Sequence, residues 1–450
     1  MRDIKNINYN CYKKSSITFT EYIPSHWSVH RIKDVIHGID QGWSPNAENR
    51  MVTENEWGVL KLSAINNGKY YENKHKALPS YEIPKHQYLV KRGDFLLTRS
   101  NTPILVGDCC LVAAEPTLKM MYSDLIYNLK INKRMSLDRY LNYLLSCESF
   151  RWLKTVSARG LNDSMVKISQ GIIRGWPVCS PPASEQKNIA DYLDNKTEQI
   201  DHQTDLLTQK LIQYGNLKQS LISETVTQGL DKNVTMKNSG IDWLGKVPER
   251  WKVKRVKDLF VESKKKSTTG DEALLSVSEY SGVTLKKDNI EEEEFLTRAE
   301  TLIGYKICNI GELVINIMLA WKRGLGISSF DGIVSPSYAV YSPRKSVYSP
   351  YFHYLFRSER AIAEFKRNST GIIESRLRLY TDSFFALEVA IPDYKEQKAI
   401  ADFLDEKTAH IDRIVETINI QINKLKELRK TLINDVVTGK IKVTKEEVTV

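Results

Sequence analysis

The chain has 450 residues, 27% of them charged and 41% hydrophobic. That length allows roughly two to four domains with real cores. No apolar run approaches the roughly 20 residues of a membrane helix, and no signal-peptide pattern opens the chain. Cys11, Cys109, Cys110, Cys147, Cys179 and Cys308 show no CxxC pairing. They read as reduced thiols of a cytoplasmic protein, not as a zinc site.

The net charge of +10 is unevenly placed. Residues 185–229 hold four Lys/Arg against seven Asp/Glu, and residues 396–440 hold eight of each, so the remaining chain carries +13. A basic surface interleaved with 22 Tyr and 8 Trp suits a polyanion such as DNA; a solvated basic surface is the plainer explanation.

Residues 1–21 read as a polar N-terminal tail. Then Ile23-Pro24-Ser25-His26-Trp27-Ser28-Val29-His30-Arg31 opens a globular region, and it recurs 224 residues later as Val247-Pro248-Glu249-Arg250-Trp251-Lys252-Val253-Lys254-Arg255. The Pro-x-x-Trp-x-Val alternation predicts a turn feeding a strand. Leu89 to Leu97 corresponds to Ile307 to Ile315, each with a Gly-Asp or Gly-Glu turn between strands, and each is followed by a polar, glycine-bearing segment. Tyr140–Leu144 and Tyr351–Leu355 predict a short helix in each half, now at a spacing of 211.

Two long helices follow the globular regions. Ser184 to Gly229 and Lys395 to Lys440 align without a gap at that same spacing, sharing Glu-Gln-Lys, Ile-Ala-Asp, Lys-Thr and Ile-Asp. Leu404, Ile411, Val415, Ile418, Ile422, Leu425, Leu432 and Val436 fall at spacings of three and four or their multiples, a coiled-coil seam. Leu193, Ile200, Leu207, Leu211, Tyr214 and Leu221 form the matching seam, interrupted by Thr197, Thr204 and Lys218. Asp393 and Ser184 are candidate N-terminal caps, and Gly229 and Gly439 candidate C-terminal ones. Two such stripes in one chain can cover each other. The predicted organisation is a tail at 1–21, a globular domain at 22–181, a spacer helix at 182–230, a second domain at 231–391, a second helix at 392–440 and a tail at 441–450.

Catalytic motifs do not emerge. Ser180-Pro181-Pro182-Ala183 lacks the aromatic residue with which amino-methyltransferases stack a flipped base, and no GxxxxGK[ST] phosphate loop or HExxH pair is present. Glu291–Glu294 read as a solvated charge run, and Lys264–Lys266 fit a phosphate contact and an exposed loop equally well. The expectation is no catalytic residue, no metal and no cofactor on this chain.

The paired Trp-x-Val openings, the Gly-Asp/Glu turns, Gly332-Ile333-Val334-Ser335-Pro336-Ser337-Tyr338 and the doubled Glu-Gln-x-x-Ile-Ala helix starts resemble the specificity subunit of type I restriction–modification enzymes, from about Tyr22 to Lys440. The first half departs from the pattern at Met121–Leu125. The resemblance implies an α+β fold with an internal pseudo-twofold repeat, in which two α/β target-recognition domains are separated by two long antiparallel coiled-coil helices. Each domain would read one half of a bipartite duplex DNA target. The helices would set the unread spacer and dock two modification (methyltransferase) subunits, and motor-nuclease restriction subunits would join them. The partners would use S-adenosylmethionine, with ATP and Mg for restriction.

On that basis the candidate DNA contacts are Arg99, Ser100, Asn101, Thr102, Arg159, Asn162, Ser164 and Lys167 in the first module. In the second they are Trp321, Lys322, Arg323, Ser369, Thr370, Ser375, Arg376 and Arg378. Arginine reads guanine bidentately, asparagine reads adenine, and lysine grips phosphate. Partner docking falls at Glu185, Gln186, Glu396 and Gln397, where helix capping is the structural alternative. Two rival functions stay open: a specificity chain of another restriction class with a fused methyltransferase–nuclease partner, or a coiled-coil scaffold that binds no DNA.

Overall fold

The computed structural model describes residues 8–158, 165–286 and 301–444. The chain divides into two units, Met1–Leu207 with Ile420–Val450, and Thr208–Asn419. Among the described residues no helix is long and apolar enough to cross a membrane.

In the first unit a four-stranded antiparallel sheet runs in the order Cys109–Leu111, Phe95–Thr98, Ile126–Ile131, Ile36–Gln41. In the second the order is Leu325–Ile327, Leu313–Asn316, Tyr338–Pro343, Phe260–Glu262. Both sheets share one topology, with the Phe95 strand and the Leu313 strand as counterparts.

Each sheet has a core on both faces, which explains why its central strands carry consecutive apolar residues such as Phe95-Leu96-Leu97 and Leu313-Val314-Ile315. Successive side chains point to opposite faces. Phe95 and Leu97 therefore face the helices while Leu96 joins a smaller core with Cys110 and Ile126. Leu313 and Ile315 likewise face the helices, and Val314 packs with Cys308 and Val340. The predicted Gly-Asp/Glu turns stand at Gly93 and Gly311, with φ of 89° and 85°. Asp94 accepts from the Lys91 N–H at 2.9 Å and Glu312 from that of Asn309 at 2.8 Å.

The helix-side core holds Asp138–Ser146 and Glu148–Ser157 in the first unit, and Ser349–Arg357 and Glu359–Arg367 in the second. The sequence reading found the first helix of each pair and missed the second. The strand predicted from Trp27-Ser28-Val29 spans Ser28–Arg31 and pairs with Pro177–Ser180. Its counterpart, Lys252–Arg255, pairs with Glu388–Ile391. Each partner strand leads directly into a long helix.

The long helices span Ala183–Gln228 and Tyr394–Val437, 46 and 44 residues, or about 69 and 66 Å. Asp393 caps the second as expected, its Oδ1 accepting from the Glu396 N–H at 2.9 Å. Ser184 does not cap the first: it lies inside the first turn, and the Pro182 carbonyl accepts from Glu185 and Gln186. Gly229 and Gly439 end the helices, both at φ 79°.

Within each unit the two helix segments run antiparallel. In the first, Asp201 accepts from Arg429 Nε at 3.0 Å, and Ile189, Leu193 and Ile200 share a core with Leu425, Leu432 and Val436. In the second, Lys218 donates to Asp412 at 2.6 Å, and Ile222 and Val226 share a core with Ile400 and Leu404. Val415, Leu207, Leu211, Tyr214 and Leu221 are only half-buried.

The N-terminal stretch read as a tail is part of the fold from residue 8. Tyr12–Lys14 pairs with Tyr22–Pro24, and Tyr9 and Ile17 are buried in the first unit's core. Apolar residues this sparse have no period to read. The second unit repeats the hairpin as Met236–Asn238 with Lys246–Pro248.

Candidate nucleic-acid interface

Each module carries two loops that meet at one pole of its sheet. One joins the two adjacent strands that follow the Gly-Asp/Glu turn, at residues 98–108 and 316–324. The other precedes the last short helix of the module. They are laced by equivalent hydrogen bonds: Ile168 N–H to Arg99 O at 2.9 Å, and Leu379 N–H to Ile317 O at 2.9 Å. The shared sheet thus presents paired loops at the same place in both modules, while the loop sequences differ.

In the first module Ser100-Asn101 forms a two-residue ladder with Val166-Lys167. Arg99 lies over the Tyr127 ring, its Cζ 5.9 Å from the centroid. Thr102 and Lys167 are exposed, and Asn101 is half-buried, its Oδ1 accepting from the Thr102 N–H. Ser100 is turned inward, fully buried, donating to Val166 O at 3.0 Å. Arg159, Asn162 and Ser164 lie outside the described residues.

The second module brings its candidates closer together. Lys322 Nζ stands 4.9 Å from the Trp321 ring centroid, and Lys366 Nζ stands 5.4 Å from the same ring. Lys366 also pairs with Glu374 at 2.5 Å, which holds the Glu374 carboxyl below its ordinary range. Thr370 and Arg378 exchange backbone hydrogen bonds at 2.9 Å, with Ser375 and Arg376 exposed between them. Arg323 turns away, toward Gln219 of the long helix at 3.4 Å, and the Ser369 hydroxyl donates to Phe365 O at 2.7 Å. Lys366 escaped the sequence reading because it lies on a helix that was not recognised. A second basic–aromatic contact was also missed: Lys85 over Trp43 at 4.1 Å, beside exposed Tyr81 and Ile83.

The four residues assigned to partner docking are occupied within their own modules. Gln186 is buried; its Oε1 accepts from the Leu137 N–H at 2.8 Å and its Nε2 donates to Pro181 O at 3.0 Å. Gln397 does the same with Tyr348 N–H at 2.8 Å and Pro392 O at 3.0 Å, and adds Ser346 O at 3.2 Å. Glu185 accepts from Trp27 Nε1 at 3.1 Å, and also bonds Tyr9 and His26. Glu396 accepts from Trp251 Nε1 at 3.3 Å and from Arg250 at 2.8 Å.

These bonds make a matched pair of clasps. Trp27 binds the start of the first helix through Glu185 and packs on the end of the second, where a Cβ on Gly439 would approach its ring to 3.2 Å. Trp251 binds the start of the second helix and packs on Gly229 at the end of the first, where the corresponding distance is 3.5 Å. Both indoles are 1% exposed or less.

The buried ionisable groups are structural. Burial pushes Cys147 up to about 11 and Cys179 to about 12, so neither offers a thiolate at neutral pH. Lys154 is fully buried, its amine depressed by burial and donating to Leu145 O at 2.6 Å. Among the described residues no group of three or more His, Cys, Asp or Glu is placed to hold a metal ion.

The two modules repeat one topology, each holds the start of one long helix and the end of the other, and their loops differ, which defines a tandem repeat of two non-identical units. The profile of the type I restriction modification DNA specificity domain matches residues 24–213 and 248–424, and the chain belongs to that family. It is 31% identical to the type I restriction enzyme EcoEI specificity subunit of Escherichia coli over 174 residues, 38% of this chain and 29% of that one. Over 450 residues it is 23% identical to the type I restriction enzyme MjaVIII specificity subunit of Methanocaldococcus jannaschii, covering 94% of each. A chain of a solved type I R-M system superimposes with a TM-score of 0.67 at 14% identity, over 93% of this chain and 99% of the other. The HsdS subunit from Thermoanaerobacter tengcongensis gives 0.51 at 16%, over 95% and 100%. These two share the fold.

Proposed function

We propose that this specificity chain reads a bipartite duplex DNA target, one half with each module. Arg99, Asn101, Thr102 and Lys167, with Arg159, Asn162 and Ser164 from the sequence between Ala158 and Met165, serve the first half-site. Trp321, Lys322, Arg376 and Arg378 serve the second, and Thr370 and Ser375 shape that loop. Ser100, Arg323 and Ser369 hold the loops in place from behind. The observation that carries this reading is the laced pair of loops at the same pole of both modules, joined by equivalent backbone hydrogen bonds and unlike in sequence. A frame repeated between the two modules and loops that differ between them suit two readers of two different sequences.

The long helices set the unread spacer and receive two modification subunits along their exposed faces. Glu185, Gln186, Glu396 and Gln397 act there as internal braces that fix each module's angle to its helix. The chain holds no catalytic group of its own and works in the cytoplasm. S-adenosylmethionine is used by the modification subunits, and ATP and Mg by the motor-nuclease subunits when those join.

The decisive experiment maps methylated adenines in a host carrying this chain with its modification subunits, then measures binding to the mapped duplex. Binding should weaken linearly in log–log salt plots, with a slope near −0.9 per phosphate contacted. Scrambling either half-site should bring affinity down to the non-specific level. Equal affinity for mapped and scrambled duplexes would refute the assignment.

A further inference from the structure

Residues 370–378 form a closed finger. Thr370 and Arg378 bond each other through both backbone groups at 2.9 Å. Arg376 N–H donates to Ile373 O at 2.9 Å and Leu377 N–H to Glu374 O at 3.2 Å, closing a turn at Glu374–Arg376. The two sides approach so closely that a Cβ on Gly371 would lie 2.6 Å from Arg376 O. Leu379, 1% exposed, anchors the base, and the Lys366–Glu374 pair braces the flank. At the tip stand Ile372, 100% exposed, and Ile373, 53% exposed.

Single exposed apolar residues are ordinary on protein surfaces. This one differs because a braced turn holds it out, where it gains nothing from the fold and cannot collapse back onto it. The surroundings point to the occupant. Lys366 pairs with Glu374 and Lys322 lies near the same carboxylate, Trp321 lies against both lysines, and Arg376 and Arg378 belong to the finger itself. A polyanion with an apolar interior matches a cationic collar around an aliphatic tip, and stacked duplex DNA is such a partner. Isoleucine is among the side chains that enter base steps, unstack them and bend the helix.

We propose that Ile372 is a wedge: when the second module binds, the finger inserts this side chain between two stacked base pairs of the half-site, and the surrounding cations grip the flanking phosphates. This inference rests on the DNA-reading assignment and deepens it. The wedge selects sequence at a step it never hydrogen-bonds, because pyrimidine–purine steps open more readily than others. Lys366 and Glu374 act as positioning residues that keep the finger upright.

The test uses the chain complexed with its modification subunits, and duplexes carrying the methylation-mapped target with 2-aminopurine placed in turn at each position of either half-site except the methylated adenines, which the modification subunits flip themselves. Wild type should raise the fluorescence several-fold at one step and leave the first half-site dark. Ile372→Ser should abolish the rise and weaken target binding about tenfold, with little change on scrambled DNA, while Ile372→Leu should retain both. Tight, selective binding by wild type with no rise at any step overturns the wedge and leaves the DNA-reading assignment standing. Failure to distinguish target from scrambled duplex removes both. If Ile372→Ser instead loses the modification subunits on co-purification while keeping the wild-type fluorescence, the finger is a protein contact and the wedge is wrong.

Discussion

Gln397 joins three backbone groups from two separate stretches, the Ser346–Tyr348 turn and the Pro392 carbonyl. Truncating it leaves buried donors and acceptors unpaired, each at a cost of about 1–3 kcal/mol. Gln397→Ala should therefore lower stability by roughly 2–4 kcal/mol, read as a shift in the urea midpoint. Gln397→Glu should recover little, since it turns an oxygen toward two carbonyls. The sequence marked Gln186 and Gln397 as special but not why, because their partners lie 49 residues away and no spacing rule links them. His353 makes a second case. Burial, aided by the nearby Arg357 guanidinium, pushes its pKa down to about 4. The folded imidazole thus stays neutral where the unfolded one, near 6.5, takes up a proton. Stability is complete above the unfolded value and falls as pH drops, by about 3 kcal/mol at pH 4. The repeat places Asn142 at the equivalent position of the first module. His353→Asn should flatten that limb of the pH–stability curve, as unfolding at pH 7, 5 and 4 would show.

Among the elements, the long helices were the most legible, because their seams run at helical spacing from Leu193 to Leu221 and from Leu404 to Val436. The sheets were legible in their central strands and hidden elsewhere: Phe95-Leu96-Leu97 is a continuous apolar run, and only the topology shows that it separates two cores. Differences inside the modules were also hidden. Arg357 donates to four carbonyls at 2.6–2.9 Å, where the first module has Ser146 and recruits Arg151 to Val106 O from the next helix. Lys218 interrupts the seam yet meets Asp412 at 2.6 Å. That pair is largely in water, where such contacts contribute at most about 1 kcal/mol. Lys218→Leu should therefore leave thermal stability level or raise it slightly, since it extends the stripe. Inserting seven residues into both helices at facing positions would keep the seam in phase and lengthen the rod by about 10.5 Å, roughly three base pairs. The mapped spacer should grow by three. An unchanged spacer would show that the helices do not measure it.

For the molecule as a whole, the proposed function assigns what is read to the loops and where it is read to the frame. Exchanging residues 247–390 for another family member's module should alter one half-site of the methylated sequence and leave the other intact. A change in both would contradict independent readers. The doubled clasps carry one more consequence, for how the chain is made. The second unit is continuous, Thr208–Asn419, whereas the first needs residues from both extremities, down to a Tyr12 hydroxyl reaching Lys440 O across 428 positions. On the ribosome the later-synthesised module has its complete set of partners first, and the earlier one waits with Trp27 half-clasped until the helix end at Gly439 has been made. The N-terminal module is therefore the aggregation-prone one in a stalled nascent chain, and the last to become resistant to protease.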